Sequence, residues 1–273
     1  MTGETSNCSG CAPAGTEVAQ GDETQAFLES LPELHAGQTF QFACHPGVRC
    51  FNACCSDLNM PLTPYDVLRL RRNLGMGSEA FINTHARVGQ YPDTGFPALF
   101  LRMSDHPLKL CPFVSDAGCT VYPDRSGACR TYPLGRATKE DEAGNVVEQF
   151  FVVREEHCRG FDETGQWSSG TWLADQGLEP YNASNDRYMR LMARCKRRGT
   201  AISPKQATMV LLACYQLDRF ADFIQGVKLF DRLEMDAARQ QQVLDDEEAR
   251  LDFAYDWAEL VLFGDCAALR MKG

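Results

Sequence analysis

The apolar positions along this chain change their rhythm near residue 165. Before it they come in short runs broken by cysteine, glycine and proline; after it they recur at helical spacing. In the first part, "TFQFAC" (Thr39–Cys44) alternates like a short strand. "LTPYDVLRLRRNLG" follows, with Thr63 placed to cap a helix, Pro64 at its first position and Asp66 completing a capping box. Val67, Leu70 and Leu74 share one face of that helix, and Gly75 can close it. "SEAFINTHA" predicts a second short helix with Ser78 as its cap. "FPALFLRM" (Phe96–Met103) and "NVVEQFFVV" (Asn145–Val153) predict strands. The stretch between them, "CPFVSDAGCTVYPDRSGACRTYPLGR", has no sustained period and reads as loop.

Beyond Trp167 the pattern predicts helices. "SGTWLADQG" is one, and "PYNASNDRYMRLMARCKRRG" is another, with basic residues in its last turn before Gly199. Ser203-Pro204 starts a long apolar helix running to about Ile224, and Asp245–Glu248 place acid at the start of a last helix ending near Phe263. Leu251, Ala254, Tyr255, Ala258 and Leu262 form one stripe of that last helix and Phe253, Trp257 and Leu260 a second, so it is expected to be buried on two sides. The expected fold class is α+β: an irregular cysteine-rich metal-binding domain with short strands over 26–165, then a mainly helical region over 166–273. Residues 1–25, rich in small and polar residues, are expected to be a disordered tail.

Charge and composition narrow the function classes. The net charge of −10 disfavours nucleic-acid binding through a basic surface. No run approaches the roughly 20 apolar residues of a membrane span. The first residues have neither the basic nor the apolar region of a secretory signal, so a cytoplasmic location is expected. Oligomeric state is not legible.

Cysteine is the outlier, with 13 in the chain. A reducing compartment disfavours structural disulfides and turns clustered cysteines towards metal or redox chemistry. Cys195 shares a helical face with Tyr188, Leu191 and Met192, and Cys214 lies inside "MVLLACYQL"; both read as small core hydrophobes. Cys8 and Cys11 form a C-x2-C in the tail, either an accessory metal or redox pair or a pair without function. Cys266 gives no clue. The remaining cysteines, Cys44, Cys50, Cys54, Cys55, Cys111, Cys119, Cys129 and Cys158, all lie in non-periodic sequence, and metal ligation is the preferred reading. Thiolates select zinc, copper(I) or iron–sulfur clusters, and these cysteines could make two four-cysteine sites. The adjacent Cys54 and Cys55 point more naturally to different metals, or to different iron atoms, than to one metal. His45 and His157 each neighbour a cysteine and could substitute for one; His35, His85 and His106 have no usable spacing.

"CTVYPDR" (Cys119–Arg125) and "CRTYPLGR" (Cys129–Arg136) echo one another. Tyr122 and Tyr132 could pack over a cluster and exclude water. Arg125 and Arg130 could offset thiolate charge or hold an anionic ligand's carboxylate, with structural salt bridges as the plain alternative. Ferredoxin, radical S-adenosylmethionine, Rossmann, P-loop and nucleophile-elbow motifs are all missing, and no general base is identifiable.

The spaced cysteines ending in a Cys-Cys pair, then "PLTPYDVLRLRRNLG", "CPF", "CTVYPDRSGACRTYP" and Cys158, resemble the YkgJ-type cysteine-cluster family, described as chelating zinc or iron and including relatives of flagellin lysine N-methylase. The resemblance covers about Phe40 to Cys158. Its first block has wider gaps than the commoner C-x2-C-x2-CC form. The resemblance implies a metal-binding domain with an iron–sulfur cluster favoured and zinc as the alternative. Its methylase branch implies S-adenosylmethionine as methyl donor and a protein substrate such as flagellin, making the chain a methyltransferase if it is an enzyme. A non-catalytic zinc protein and a metal carrier or redox partner are the competing functions.

Overall fold

The computed structural model describes residues 30–140 and 146–272, so the expected tail and the Cys8/Cys11 pair lie outside the described residues. It is α+β, with short strands around the cysteines and helices after them. The chain begins with β1 (Phe40–Gln41), β2 (Pro61–Leu62), α1 (Pro64–Asn73), α2 (Ser78–His85), β3 (Ala86–Gln90) and β4 (Pro97–Leu101). β5 (Val114–Ser115), β6 (Gly118–Cys119), the short α3 (Gly127–Thr131), β7 (Leu134–Glu140), β8 (Val146–Val152) and β9 (Gln166–Trp167) follow. The rest is helical: α4 (Ser169–Asp175), α5 (Glu179–Arg198), α6 (Pro204–Tyr215), α7 (Leu217–Gly226), α8 (Ala237–Asp245) and α9 (Glu247–Phe263).

Among the described residues, four small antiparallel sheets form. β4 is the centre of a three-stranded one, flanked by β2 and β3, and all five of its residues are buried. That is why its sequence, PALFL, is continuously apolar. β7 and β8 make a hairpin, β5 pairs with β6, and β1 pairs with the distant β9 through Phe40 opposite Trp167.

The capping box of α1 forms as its sequence predicts. The Thr63 hydroxyl accepts from the Asp66 N–H, and the Asp66 carboxylate accepts from the Thr63 N–H. Gly75, at φ +63°, ends the helix in a conformation that favours glycine. α2 differs in detail: its cap position is Gly77, not Ser78. Asp218, at the start of α7, caps it instead, accepting the Ser78 N–H at 2.9 Å and the Ser78 hydroxyl. The helix expected from Ser203 to Ile224 is two helices, broken at Gln216 (φ −121°, ψ 59°). No glycine or proline causes the break. Tertiary bonds hold the chain on both sides of it: the Tyr215 hydroxyl donates to Leu62 O (3.2 Å) and to the Tyr188 hydroxyl (3.0 Å), and Asp218 is engaged at Ser78. α8 has no counterpart in the apolar pattern, because Val243 is its only buried residue.

The main core joins residues from before and after residue 165. Leu68, Leu70, Phe81 and Leu99 pack in the same cluster as Val210, Phe220, Phe253 and Ala258. α9 is buried on both its stripes, as expected of the chain's last helix. Its acidic first turn meets the basic last turn of α1, where Arg71 and Arg72 pair with Glu247 and Arg72 also reaches Glu248. Each charge suits the dipole of its own helix end. Cys195 and Cys214 are buried in this core. A second, smaller core gathers Leu34, Phe40, Phe42, Leu134, Val152 and Trp172 beneath the cysteine region, with Cys158 packed against it. Among the described residues, no helix is long and apolar enough to cross a membrane.

Candidate metal centre

The segment from Cys44 to Cys55 is neither helix nor strand. It is a succession of tight turns, with the N–H groups of Val48, Phe51, Ala53 and Cys55 donating to the carbonyls three residues earlier at 2.9–3.0 Å. Asn52 takes the left-handed conformation (φ 69°) that asparagine tolerates, and its side-chain amide ties the turn to Ser115 O at 3.0 Å. Buried Val48 anchors it.

Three further segments close on these turns. The first carries Cys158. The Ala43 N–H donates to Gly160 O (3.0 Å), Phe42 N–H donates to Gly165 O (2.7 Å), and the Arg159 N–H donates to the Cys50 sulfur (3.0 Å). Gly160 and Gly165 make this approach possible. A Cβ on Gly160 would lie 2.5 Å from the Phe42 ring and 2.7 Å from Ala43 O, and one on Gly165 would lie 2.4 Å from Phe42 O. Phe42 itself is held edge-on by Tyr132, Phe161 and Trp172 at centroid distances of 5.2–5.9 Å.

The second segment carries Cys111 and Cys119. The Cys111 N–H donates to Cys55 O at 2.7 Å, and Cys119 lies across the β5–β6 pair from Val114. The third is α3, which carries Cys129. Ser126 caps α3, and the buried Asp66 carboxylate accepts the Gly127 N–H at 2.7 Å. The residue that completes the capping box of α1 thus also fixes the start of the helix that bears a cysteine.

All eight of these cysteines are free thiols, as are Cys195, Cys214 and Cys266. Five of the eight are shifted by burial and by neighbouring thiols. Burial, then the charges of Cys54, Cys50 and Cys158, push the Cys44 thiol up to about 11, with Arg125 opposing. Burial, then Cys111, Cys54 and Cys119, push Cys129 to about 11, against a hydrogen bond from Ser126. Burial also raises Cys111, with Cys119 and Cys54 adding to it. The bond from Cys55 draws Cys54 down to about 7, while Cys55, bonded to Cys54, buried and facing Cys111 and Cys129, is raised. Crowded thiols that resist ionising together are what a bound cation relieves.

The donor chemistry therefore fits a thiophilic metal. The thiols are gathered but not closed: among the described residues, no three His, Cys, Asp or Glu side chains stand together closely enough to hold one ion as placed.

The four aromatic and basic residues of the Tyr-Pro echo take different places. The Tyr132 hydroxyl is buried without a hydrogen-bond partner, and burial and then the adjacent Cys158 thiol raise its pKa. Tyr122 is 56% exposed and serves as a platform for the Arg125 guanidinium, 3.8 Å above its ring. Arg125 faces Cys44, Cys119 and Cys129, and also donates to Tyr122 O (2.7 Å) and to the Gln176 side chain. Arg130 is spent on the fold: it donates to Arg125 O (3.1 Å), Gln176 O (2.6 Å) and Pro123 O, and lies over the Tyr181 ring. Among the described residues no salt bridge accounts for it; backbone carbonyls do.

His45, beside Cys44, has partners of its own. His45 pairs with Glu163 at 3.5 Å and accepts the Gly47 N–H. Asp66 and Gly160 organise the site without being candidate ligands. The capping pattern pointed to Asp66, but nothing in the sequence foretold its second bond to Gly127.

No curated protein and no solved structure matches the chain. Residues 43–160 match the family model CxxCxxCC, described as a "Putative zinc- or iron-chelating domain". The two limits of that match meet in space, since Ala43 and Gly160 are the hydrogen-bonded pair that brings Cys44 towards Cys158. Over residues 43–160 the chain is therefore similar to the cysteine-cluster domains that the CxxCxxCC model describes, which is the resemblance its cysteine spacing suggested.

Proposed function

We propose that this domain binds iron as an iron–sulfur cluster through Cys44, Cys50, Cys54, Cys55, Cys111, Cys119, Cys129 and Cys158, in the cytoplasm, where thiols stay reduced. The observation that carries this reading is the gathering of eight free thiols from four separate segments in one place. An all-thiolate donor set suits an iron–sulfur cluster and suits zinc as well. Iron–sulfur is favoured because the adjacent pair Cys54-Cys55 serves different metal atoms more naturally than one. Arg125, facing three of these thiols, offsets the negative charge that thiolates bring to a cluster.

Anaerobic purification of the full chain, with iron, sulfide and zinc analysis and a visible spectrum, tests the proposal. Iron and sulfide in stoichiometric amounts support it. A colourless protein with zinc and no sulfide replaces it with a structural zinc role. A protein that takes up neither metal removes both.

Methyl transfer is the catalytic extension of this reading. In it the sulfonium methyl of S-adenosylmethionine passes to a lysine Nε of a protein such as flagellin, leaving S-adenosylhomocysteine and a proton. It rests on the resemblance alone. A titration of the iron-loaded protein with S-adenosylmethionine decides it, and no binding at millimolar ligand eliminates it.

A further inference from the structure

We infer that the Tyr132 hydroxyl donates a hydrogen bond to the Cys158 sulfur once that sulfur ligates a metal, which makes Tyr132 a positioning residue of the metal centre. This rests on the metal-binding reading above and deepens it: it names a side chain outside the ligand set on which the bound metal depends.

Three buried side-chain oxygens have no hydrogen-bond partner among the described residues: Ser104 Oγ and the hydroxyls of Tyr132 and Tyr181. An unpaired buried hydroxyl destabilises a fold, so its persistence needs a reason. Tyr132 is fixed on both sides. Its N–H ends α3 by donating to Ala128 O at 3.2 Å, and the carbonyl of Pro133 accepts the Val153 N–H at 2.8 Å. Phe42 meets the Tyr132 ring edge-on, with the centroids 5.9 Å apart. The residue after Phe42, Ala43, donates to Gly160 O at 3.0 Å, two positions past Cys158. Tyr132 and Cys158 pack against the same small core, the one that contains Phe42, and the Cys158 thiol adjoins the Tyr132 hydroxyl.

The chemistry supplies the reason. A neutral thiol is a weak acceptor, whereas a cysteine that ligates a metal is a thiolate and accepts a hydrogen bond strongly. Cys50 has such a donor already in place, since the Arg159 N–H donates to its sulfur at 3.0 Å. Tyr132 provides the equivalent for Cys158. Donors of this kind orient metal ligands and stabilise the charge on them. In an iron–sulfur cluster they also favour the reduced state, whose extra negative charge they offset.

The test compares the anaerobically purified full chain with Tyr132→Phe. Urea unfolding compares the metal-free forms. The metal-loaded forms are compared by release of metal to a competing chelator, by thiolate-to-metal charge-transfer absorption and, where iron and sulfide are bound, by reduction potential. Without metal the variant should be as stable as the parent or more so, because it loses an unpaired hydroxyl and no bond. With metal it should bind about 10-fold more weakly, as expected for losing a partner of a ligand. Its charge-transfer band should shift, and the potential of a cluster should fall. Tyr181→Phe removes the other orphaned tyrosine hydroxyl, on a ring that lies under Arg69 and Arg130, and should leave metal affinity and absorption unchanged. A metal-free Tyr132→Phe protein less stable than the parent, a loaded one with unchanged affinity and absorption, or an equal effect from Tyr181→Phe overturns the inference while leaving metal binding in place. A parent chain that takes up no metal overturns the metal-binding reading itself, and this inference with it.

Discussion

The carboxylate of Asp66 accepts the backbone N–H of Gly127 at 2.7 Å, across 61 positions of sequence. Its other oxygen closes the capping box on Thr63. One buried side chain therefore starts two helices, and the second of them carries Cys129. Burial raises the Asp66 pKa, while the bonds from Gly127 and Thr63 oppose that shift.

Asp66→Ala should destabilise the protein by about 2–3 kcal/mol, as expected for losing hydrogen bonds to a buried charged group. It should also lower metal retention, because α3 is no longer anchored. Asp66→Asn keeps one acceptor and should fall between the two. Urea unfolding of the metal-free forms, followed by metal analysis, checks both parts.

Gly160→Ala should cost about 1–3 kcal/mol, the range for forcing extra volume into a packed site. The new methyl would meet the Phe42 ring and Ala43 O, and relieving that clash moves Cys158 away from Cys44. Gly170→Ala is the control. Nothing lies within 4 Å of its Cβ position, and in α4 it should stabilise by about 0.5–1 kcal/mol. Thermal unfolding of the pair reads the opposite signs.

Asp218 links stability to pH. Burial would raise its pKa, but bonds from Ser78 and from the Arg219 N–H prevail and hold it below the usual carboxylate range. A carboxylate depressed in the folded state contributes its full stability above its unfolded pKa of about 3.9 and loses it as pH falls through the folded value. Asp218→Asn should therefore flatten the acid limb of the stability profile and cost about 1 kcal/mol at neutral pH, the usual worth of a helix cap. Denaturation midpoints between pH 3 and pH 7 give the comparison.

Cys214 separates packing from ligation. It is fully buried, and burial pushes its thiol well up from its ordinary value. Cys214→Ser should destabilise by roughly 1–3 kcal/mol, because a buried hydroxyl needs a partner. Metal content per folded chain should stay unchanged. Loss of metal from a folded Cys214→Ser protein would contradict the assignment of this cysteine to the core.

Much of the local structure was legible before any coordinates. The Thr63-Pro64-Asp66 cap, the Gly75 and Gly199 stops, the buried strand at Pro97–Leu101 and the two-sided burial of the last helix all follow from side-chain chemistry acting over three or four residues. So does the sorting of Cys195 and Cys214 into the core, since a helical face records burial in its own spacing.

Features that depend on distant partners left no such mark. The cap of α2 is Asp218, 140 positions away, where the local pattern pointed to Ser78. The break at Gln216 has no glycine or proline to announce it and comes from anchors at Leu62, Tyr188 and Ser78. Arg130 offered a charge to the sequence and turned out to staple three carbonyls.

The cysteine residues show the same boundary. Residue type and irregular spacing, acting through thiol chemistry alone, were enough to mark eight of them as candidate ligands. Which of the eight stand near one another was decided by bonds the sequence does not encode locally, Ala43 to Gly160 and Cys111 to Cys55, because proximity across a hundred residues exists only once the backbone has folded.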